Sequence, residues 1–195
     1  MAVLEMNYKS ACLKRFVKIR AVLPFENSDF SYDEKGARYQ SLYLLHGYTG
    51  NEDDWIVESS IVREARHRKI AIIMAAADNS FYHNHPEFDS PYADFIGNEL
   101  VDITRRLFPL SEERKDTFIA GNSMGGYGAL YLGSRYNHTF SKIAAFSGGF
   151  IHNFTKNDYN QMEHMESSQK EYFQSFFGKI QPEEKLDFVL AEMAK

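Results

Sequence analysis

Apolar residues in this chain fall into short runs separated by polar, acidic or glycine-bearing stretches. Residues 3–8 have the length and composition of a short strand. Over 13–23, Val17, Ile19, Ala21 and Leu23 alternate with Lys18, Arg20 and Val22, the period of a half-buried strand that Pro24 closes. Leu42-Tyr43-Leu44-Leu45 is almost wholly apolar and ends in His46-Gly47, which predicts a strand buried on both faces. Residues 52–68 carry Trp55, Ile56, Ile61, Val62 and Ala65 at near-helical spacing. Asp53 and Asp54 lie in the first turn, at the positive end of the helix dipole. A second buried strand is predicted at 70–77, then a polar, aromatic loop at 78–91 and a helix at 92–108 that Pro109 stops. Residues 117–120 read as a third buried strand, 125–136 as a third helix, and 140–146 as a fourth strand.

Strands alternating with helices predict one α/β domain built on a mainly parallel sheet with helices on both faces. In such sheets ligands bind beyond the carboxyl ends of the strands. Three buried strands run out there into His46-Gly47, Asp78-Asn79-Ser80 and Gly121-Asn122-Ser123, so these loops are expected to cluster. After Phe150 the pattern changes. Residues 151–195 are rich in Glu, Gln, Lys and Asn, with helical periodicity around Tyr172, Phe173, Phe176 and Phe177 and again around Leu186, Phe188, Val189 and Leu190. They predict a mostly helical, lid-like segment without a further buried strand.

Composition narrows the function classes. Asp and Glu outnumber Lys and Arg for a net charge of −5, which argues against a nucleic-acid partner. Cys12 is the only cysteine, so no internal disulfide forms and cysteine-rich metal sites are excluded. No stretch reaches the roughly 20 apolar residues of a membrane span. Charged residues interrupt positions 1–20, so no signal peptide is read and the expected location is the cytoplasm. His83-Asn84-His85 offers two histidines with no third ligand at a recognisable spacing, so the loop is read as pocket-lining or surface rather than a metal site.

The chemistry lies in Gly121-Asn122-Ser123-Met124-Gly125. A serine hydroxyl needs a base to remove its proton and an unhindered approach to the carbonyl it attacks. The G-x-S-x-G elbow serves the second need, because a sharp strand-to-helix turn lifts the serine above the sheet. The predicted strand at 117–120 and the small residues of Gly125-Gly126-Tyr127-Gly128-Ala129 supply the required context. The oxyanion of an acyl-transfer intermediate needs preorganised N–H donors. The amide of Met124, after the nucleophile, is one candidate donor. The amide of Tyr48, in the loop after the first buried strand, is the other. Trp55 and Tyr82 are expected to border the acyl pocket, with burial beneath the loop as the alternative.

Leu44-Leu45-His46-Gly47-Tyr48-Thr49-Gly50-Asn51-Glu52-Asp53-Asp54-Trp55 together with Gly121-Asn122-Ser123-Met124-Gly125-Gly126-Tyr127-Gly128-Ala129 resembles the tributyrin esterases. These belong to the group that includes esterase D and S-formylglutathione hydrolases and, more distantly, feruloyl esterases and mycolyltransferases. The resemblance implies an α/β-hydrolase fold and a small-molecule ester substrate. It also implies acylation of Ser123 by short-chain esters, an oxyanion hole from the amides of Tyr48 and Met124, and no metal or cofactor. The S-formylglutathione hydrolase branch typically carries a Cys after His-Gly. Tyr48-Thr49-Gly50 stands there in this chain, which leans toward the simple carboxylesterases.

In that family the catalytic acid and then the histidine follow a later strand. No such strand is read after 146, so the sheet is expected to lack its C-terminal strands and the acid and base have no matching positions. Asp158 with His164 keeps the order but sits on one polar segment, and His152 lies on the appropriate edge of the sheet. Each competes with the reading of a solvated surface residue. The fold is therefore expected to continue past Lys195, or the exposed sheet edge to be covered by a partner, with a homo-oligomer kept open.

Overall fold

The alternation of apolar runs becomes a six-stranded sheet. The computed structural model describes residues 1–25, 38–85 and 89–148. Along the chain, β1 (Ala2–Lys9) and β2 (Phe16–Leu23) form an antiparallel pair joined by a tight turn. β3 (Gln40–Leu45) is followed by α1 (Asp54–Glu58), α2 (Ile61–Arg68) and β4 (Ile70–Ala75). A small hairpin, β5 (Asn84–His85) with β6 (Ser90–Pro91), precedes α3 (Tyr92–Asp94), a π-helical turn (Phe95–Glu99) and α4 (Leu100–Leu107). β7 (Thr117–Asn122), α5 (Met124–Arg135) and β8 (Lys142–Phe146) complete the described part.

The strand order is β1-β2-β4-β3-β7-β8, with β4, β3, β7 and β8 parallel and β2 antiparallel to β4. The mainly parallel sheet read from the sequence is thus borne out, with the N-terminal hairpin as its antiparallel margin. Alternation along the strands sorts two apolar layers. Leu44, Ile72, Met74, Val22 and Ala120 share one face with Ala65 of α2, and Trp55, Ile56, Ile61 and Val62 pack against them. On the opposite face Tyr43 bonds to Thr104 of α4 at 2.8 Å and meets Phe140 edge-to-face at 5.8 Å. Among the described residues, no helix is long and apolar enough to cross a membrane.

Four local expectations shift. The strand expected from residue 13 starts at Phe16, because the chain reverses through Lys14 at φ 54° with Ser10 N–H bonded to Arg15 O at 3.0 Å. The helix expected over 52–68 breaks where Ser59 turns extended, at φ −141° and ψ 175°. The helix expected over 92–108 contains the π turn. The fourth strand is parallel as read but not buried, since Ile143 is 39% and Phe146 54% exposed at the edge of the described sheet. Met1–Gly148 form a compact unit. The segment expected to be lid-like, with His152, Asp158 and His164, lies outside the described residues.

The π turn has a visible consequence. It aims the Glu99 carboxylate at the β1–β2 turn, where it accepts bonds from Tyr8 OH (2.9 Å), Ser10 Oγ (2.7 Å), Ala11 N (2.5 Å) and Cys12 N (2.9 Å). Burial alone raises the Glu99 pKa, but the bonds from Ser10, Cys12 and Ala11 outweigh it and hold the carboxyl down at about 2, against an ordinary 4.5. Every donor in this cluster needs a lone pair, so Glu99→Gln places an NH2 against another N–H. That substitution is expected to cost about 1–2 kcal/mol of unfolding free energy at pH 7 by urea titration. A folded pKa below the unfolded one gives stability that is full above pH 4.5 and is lost as pH falls toward 2. The gap between wild type and Glu99→Gln should therefore close on acidification.

Candidate active site

β3 and β7 lie side by side and end at the same level, with Leu45 opposite Gly121. Their following loops therefore emerge together at the carboxyl edge, where the chain turns to β4 on one side of β3 and to β7 on the other. Ser123 stands between the end of β7 and the start of α5 at φ 54° and ψ −118°. A residue with a Cβ adopts this backbone only when its surroundings over-determine it. Here Ser123 N–H donates to Phe146 O at 2.9 Å, and Ser123 O accepts from Tyr127 N at 3.0 Å.

The two motif glycines permit the turn. A Cβ on Gly121 would overlap the backbone of Gly125. A Cβ on Gly125 would overlap Leu45 O and come within 2.6 Å of His46 O. The first turn of α5 is thereby seated directly on the end of β3. Met124 is buried at the first position of α5, where helix geometry leaves amides without an intrahelical acceptor.

The facing loop is tied down by buried donors. Trp55 Nε1–H donates to Leu45 O at 3.0 Å, and Tyr82 OH to His46 O at 2.9 Å. Thr49 N–H donates to Asn79 Oδ1 at 2.7 Å, so the loops after β3 and β4 do meet, as the sequence predicted. His46 is 2% exposed, accepts Ala77 N–H at Nε2 (3.0 Å) and contacts Gly47 O through Nδ1 (2.8 Å). Burial lowers its pKa below the ordinary histidine value, against the opposing pull of Gly47 O, Asp54, Glu52 and Asp78.

A cavity of about 540 Å3 opens over the serine, lined by Gly47, Tyr48, Asp54, Trp55, Glu58 and Ser123 among others. Ser123, Tyr48 and Trp55 are thus brought together. Tyr82 is not at the cavity. It is wholly buried, and the small Gly128 makes room for its ring, since a Cβ there would overlap it. Burial pushes its phenol far up, so it remains the proton donor that holds His46 O. His83 stacks on Tyr131 at 4.1 Å and shares a 2.6 Å bond with Tyr127 OH, while His85 Nε2 contacts Ser80 O at 3.1 Å. His83 is half-buried and His85 buried. His67 and His138 are exposed. Asn79 lies in one of the three loops expected to cluster, and Asp54 was expected only as a first-turn residue of a helix; Glu58 carries no sequence signal for the site.

The model of the Esterase family, described as "Putative esterase", matches residues 10–181. An acetyl esterase of Caldicellulosiruptor saccharolyticus is 40% identical over 153 residues, covering 77% of this chain and 58% of that protein. The chain thus spans less than two thirds of that relative's length. The structure of an S-formylglutathione hydrolase from Staphylococcus aureus is 31% identical with a TM-score of 0.77, over 98% of this chain and 74% of the other. A fluorophosphonate-binding serine hydrolase of the same organism is 30% identical, with the same TM-score and coverage. The fold is that of the α/β-hydrolases.

The overlap at Gly125 gives a test of this architecture. Gly125→Ala is expected to destabilise the protein by about 1–3 kcal/mol, since α5 must lift off β3 to admit the methyl. Gly50→Ala meets only the movable Asp54 carboxylate and the Gly47 carbonyl, and is expected to cost less. Thermal or urea unfolding of the two variants side by side measures the difference.

Proposed function

This chain belongs to the Esterase family, and we propose that it is a serine carboxylesterase that hydrolyses short-chain acyl esters through an acyl-enzyme on Ser123. The observation that carries the proposal is Ser123 held at φ 54° on a glycine elbow, opposite the Gly47-Tyr48 loop in one cavity. In this reading Ser123 Oγ bonds to the ester carbonyl carbon while its proton passes to a general base. The carbonyl electron pair moves onto oxygen, which accepts from the amides of Tyr48 and Met124. Collapse of the adduct breaks the bond to the alcohol, which leaves with the proton. Water then attacks the acyl group in the same way and restores the serine.

In this reading the general base is a histidine outside the described residues, which is supported by the hydrogen bonds that tie His46, His83 and His85 into the fold. An acetyl esterase 40% identical to this chain favours a small acyl group. The cavity wall favours a neutral ester over an anionic thioester such as S-formylglutathione. Asp54 and Glu58 stand on it, and the described lining holds no Lys or Arg.

Fluorophosphonate is expected to label the full chain once, on Ser123, as read by peptide mass spectrometry. Ser123→Ala is expected to lose labelling and to lower p-nitrophenyl acetate hydrolysis by about a thousandfold or more. Labelling at another residue, or unchanged turnover by Ser123→Ala, would overturn the assignment. Among substrates, p-nitrophenyl acetate and butyrate are expected to exceed S-formylglutathione in kcat/KM. Neutralising the wall with Asp54→Asn and Glu58→Gln should narrow that gap.

A further inference from the structure

The geometry points to His46 as a positioning residue that orients the Tyr48 amide by holding the carbonyl of Gly47. This inference rests on the serine-esterase reading for its kinetic consequence, but its structural content stands on the loop alone.

Ala77 N–H donates to His46 Nε2 at 3.0 Å, so that nitrogen must offer a lone pair. In a neutral imidazole the proton then resides on Nδ1. Nδ1 lies 2.8 Å from Gly47 O, which has no proton to give, so the contact is an Nδ1–H donation to the carbonyl. Burial works in the same direction, because a ring that is 2% exposed resists a second proton.

Gly47 O belongs to the same peptide plane as the Tyr48 N–H. In a planar trans peptide the carbonyl and the amide proton point in opposite directions. A carbonyl held toward His46 therefore turns the Tyr48 N–H away from the ring. Gly47 has no side chain of its own to fix this orientation, and glycine backbones rotate at low cost. Hydrogen bonds to Gly47 O supply a restraint, from His46 Nδ1–H and from Gly50 N–H, the latter at 3.1 Å.

The ring is itself anchored. Tyr82 OH holds the His46 carbonyl from beneath, and Ala77 lies just past the end of β4. The amide of Ala77 thereby selects the tautomer, the tautomer fixes the Gly47 peptide, and that peptide presents the amide of Tyr48.

Two measurements on the full chain test this. Nitrogen-15 NMR of labelled wild-type protein at neutral pH is expected to show His46 as the neutral tautomer protonated on Nδ1. A proton on Nε2 would overturn the inference even if the protein proved inactive. Kinetics of two variants supply the second arm. Asn places its amide NH2 near the position of Nδ1 and keeps a donor for Gly47 O. Gln reaches the position of Nε2 and serves Ala77 without donating to Gly47. His46→Gln is expected to have a kcat about ten- to a hundredfold below that of His46→Asn at similar KM. Equal kcat values in the two variants, at equal melting temperature, would overturn the positioning role. Failure of the esterase reading would look different, as absence of wild-type turnover and of phosphonate labelling with the tautomer unchanged.

Discussion

The first turn of α5 rests on the last carbonyls of β3 with no room for a methyl group between them. Gly125 makes that contact, and a side chain there would overlap Leu45 O and press on His46 O. Because helix and strand touch backbone to backbone, the elbow residue is forced into its positive-φ turn and stands beside the loop that follows β3. Gly121 repeats the condition from the strand side, against Gly125 itself. Much of the site's geometry follows from that contact. It brings segments remote in sequence, 46–50 and 121–125, to one point above the sheet.

Close backbone packing leaves carbonyls that require donors, and the fold provides them with large side chains. Trp55 covers Leu45 O, Tyr82 covers His46 O, and His46 covers Gly47 O. Three successive carbonyls are thus held by three aromatic donors from different elements. Buried polar groups without partners are costly, so each of these rings stabilises the loop as well as filling space. These three aromatic side chains thus serve as donors as well as filling volume.

Much of this was legible in the sequence. The apolar runs at 42–45, 70–77 and 117–120 became β3, β4 and β7 because strands covered on both faces tolerate few polar residues. The glycine elbow was legible because its steric conditions admit almost no other spelling. Other features were not, for identifiable reasons. The break at Ser59 depends on extended backbone between two short helices whose apolar periodicity runs straight through it. The π turn at Phe95–Glu99 leaves no mark on periodicity, and its effect appears only where Glu99 meets the distant β1–β2 turn. Phe140–Phe146 reads as buried from composition, yet exposure at a sheet edge is decided by neighbours. For Tyr82 the sequence leaves two readings, a pocket border or burial beneath the loop, and the structure shows burial. Whether an aromatic in such a loop points up to a ligand or down to a carbonyl is decided by partners remote in sequence, here His46 and Gly128.

Trp55 is the only tryptophan in the chain. Its indole N–H is bound to the end of β3, and its side chain forms part of the wall of the cavity over Ser123. Tryptophan emission from residues 1–195 therefore originates from one ring, half-buried, in the wall of the cavity over Ser123. Solvent displaced from the cavity, or a change in the hydrogen bond to Leu45 O, alters the polarity that this single fluorophore senses. The site thus carries its own optical reporter of occupancy, with no need for an attached dye.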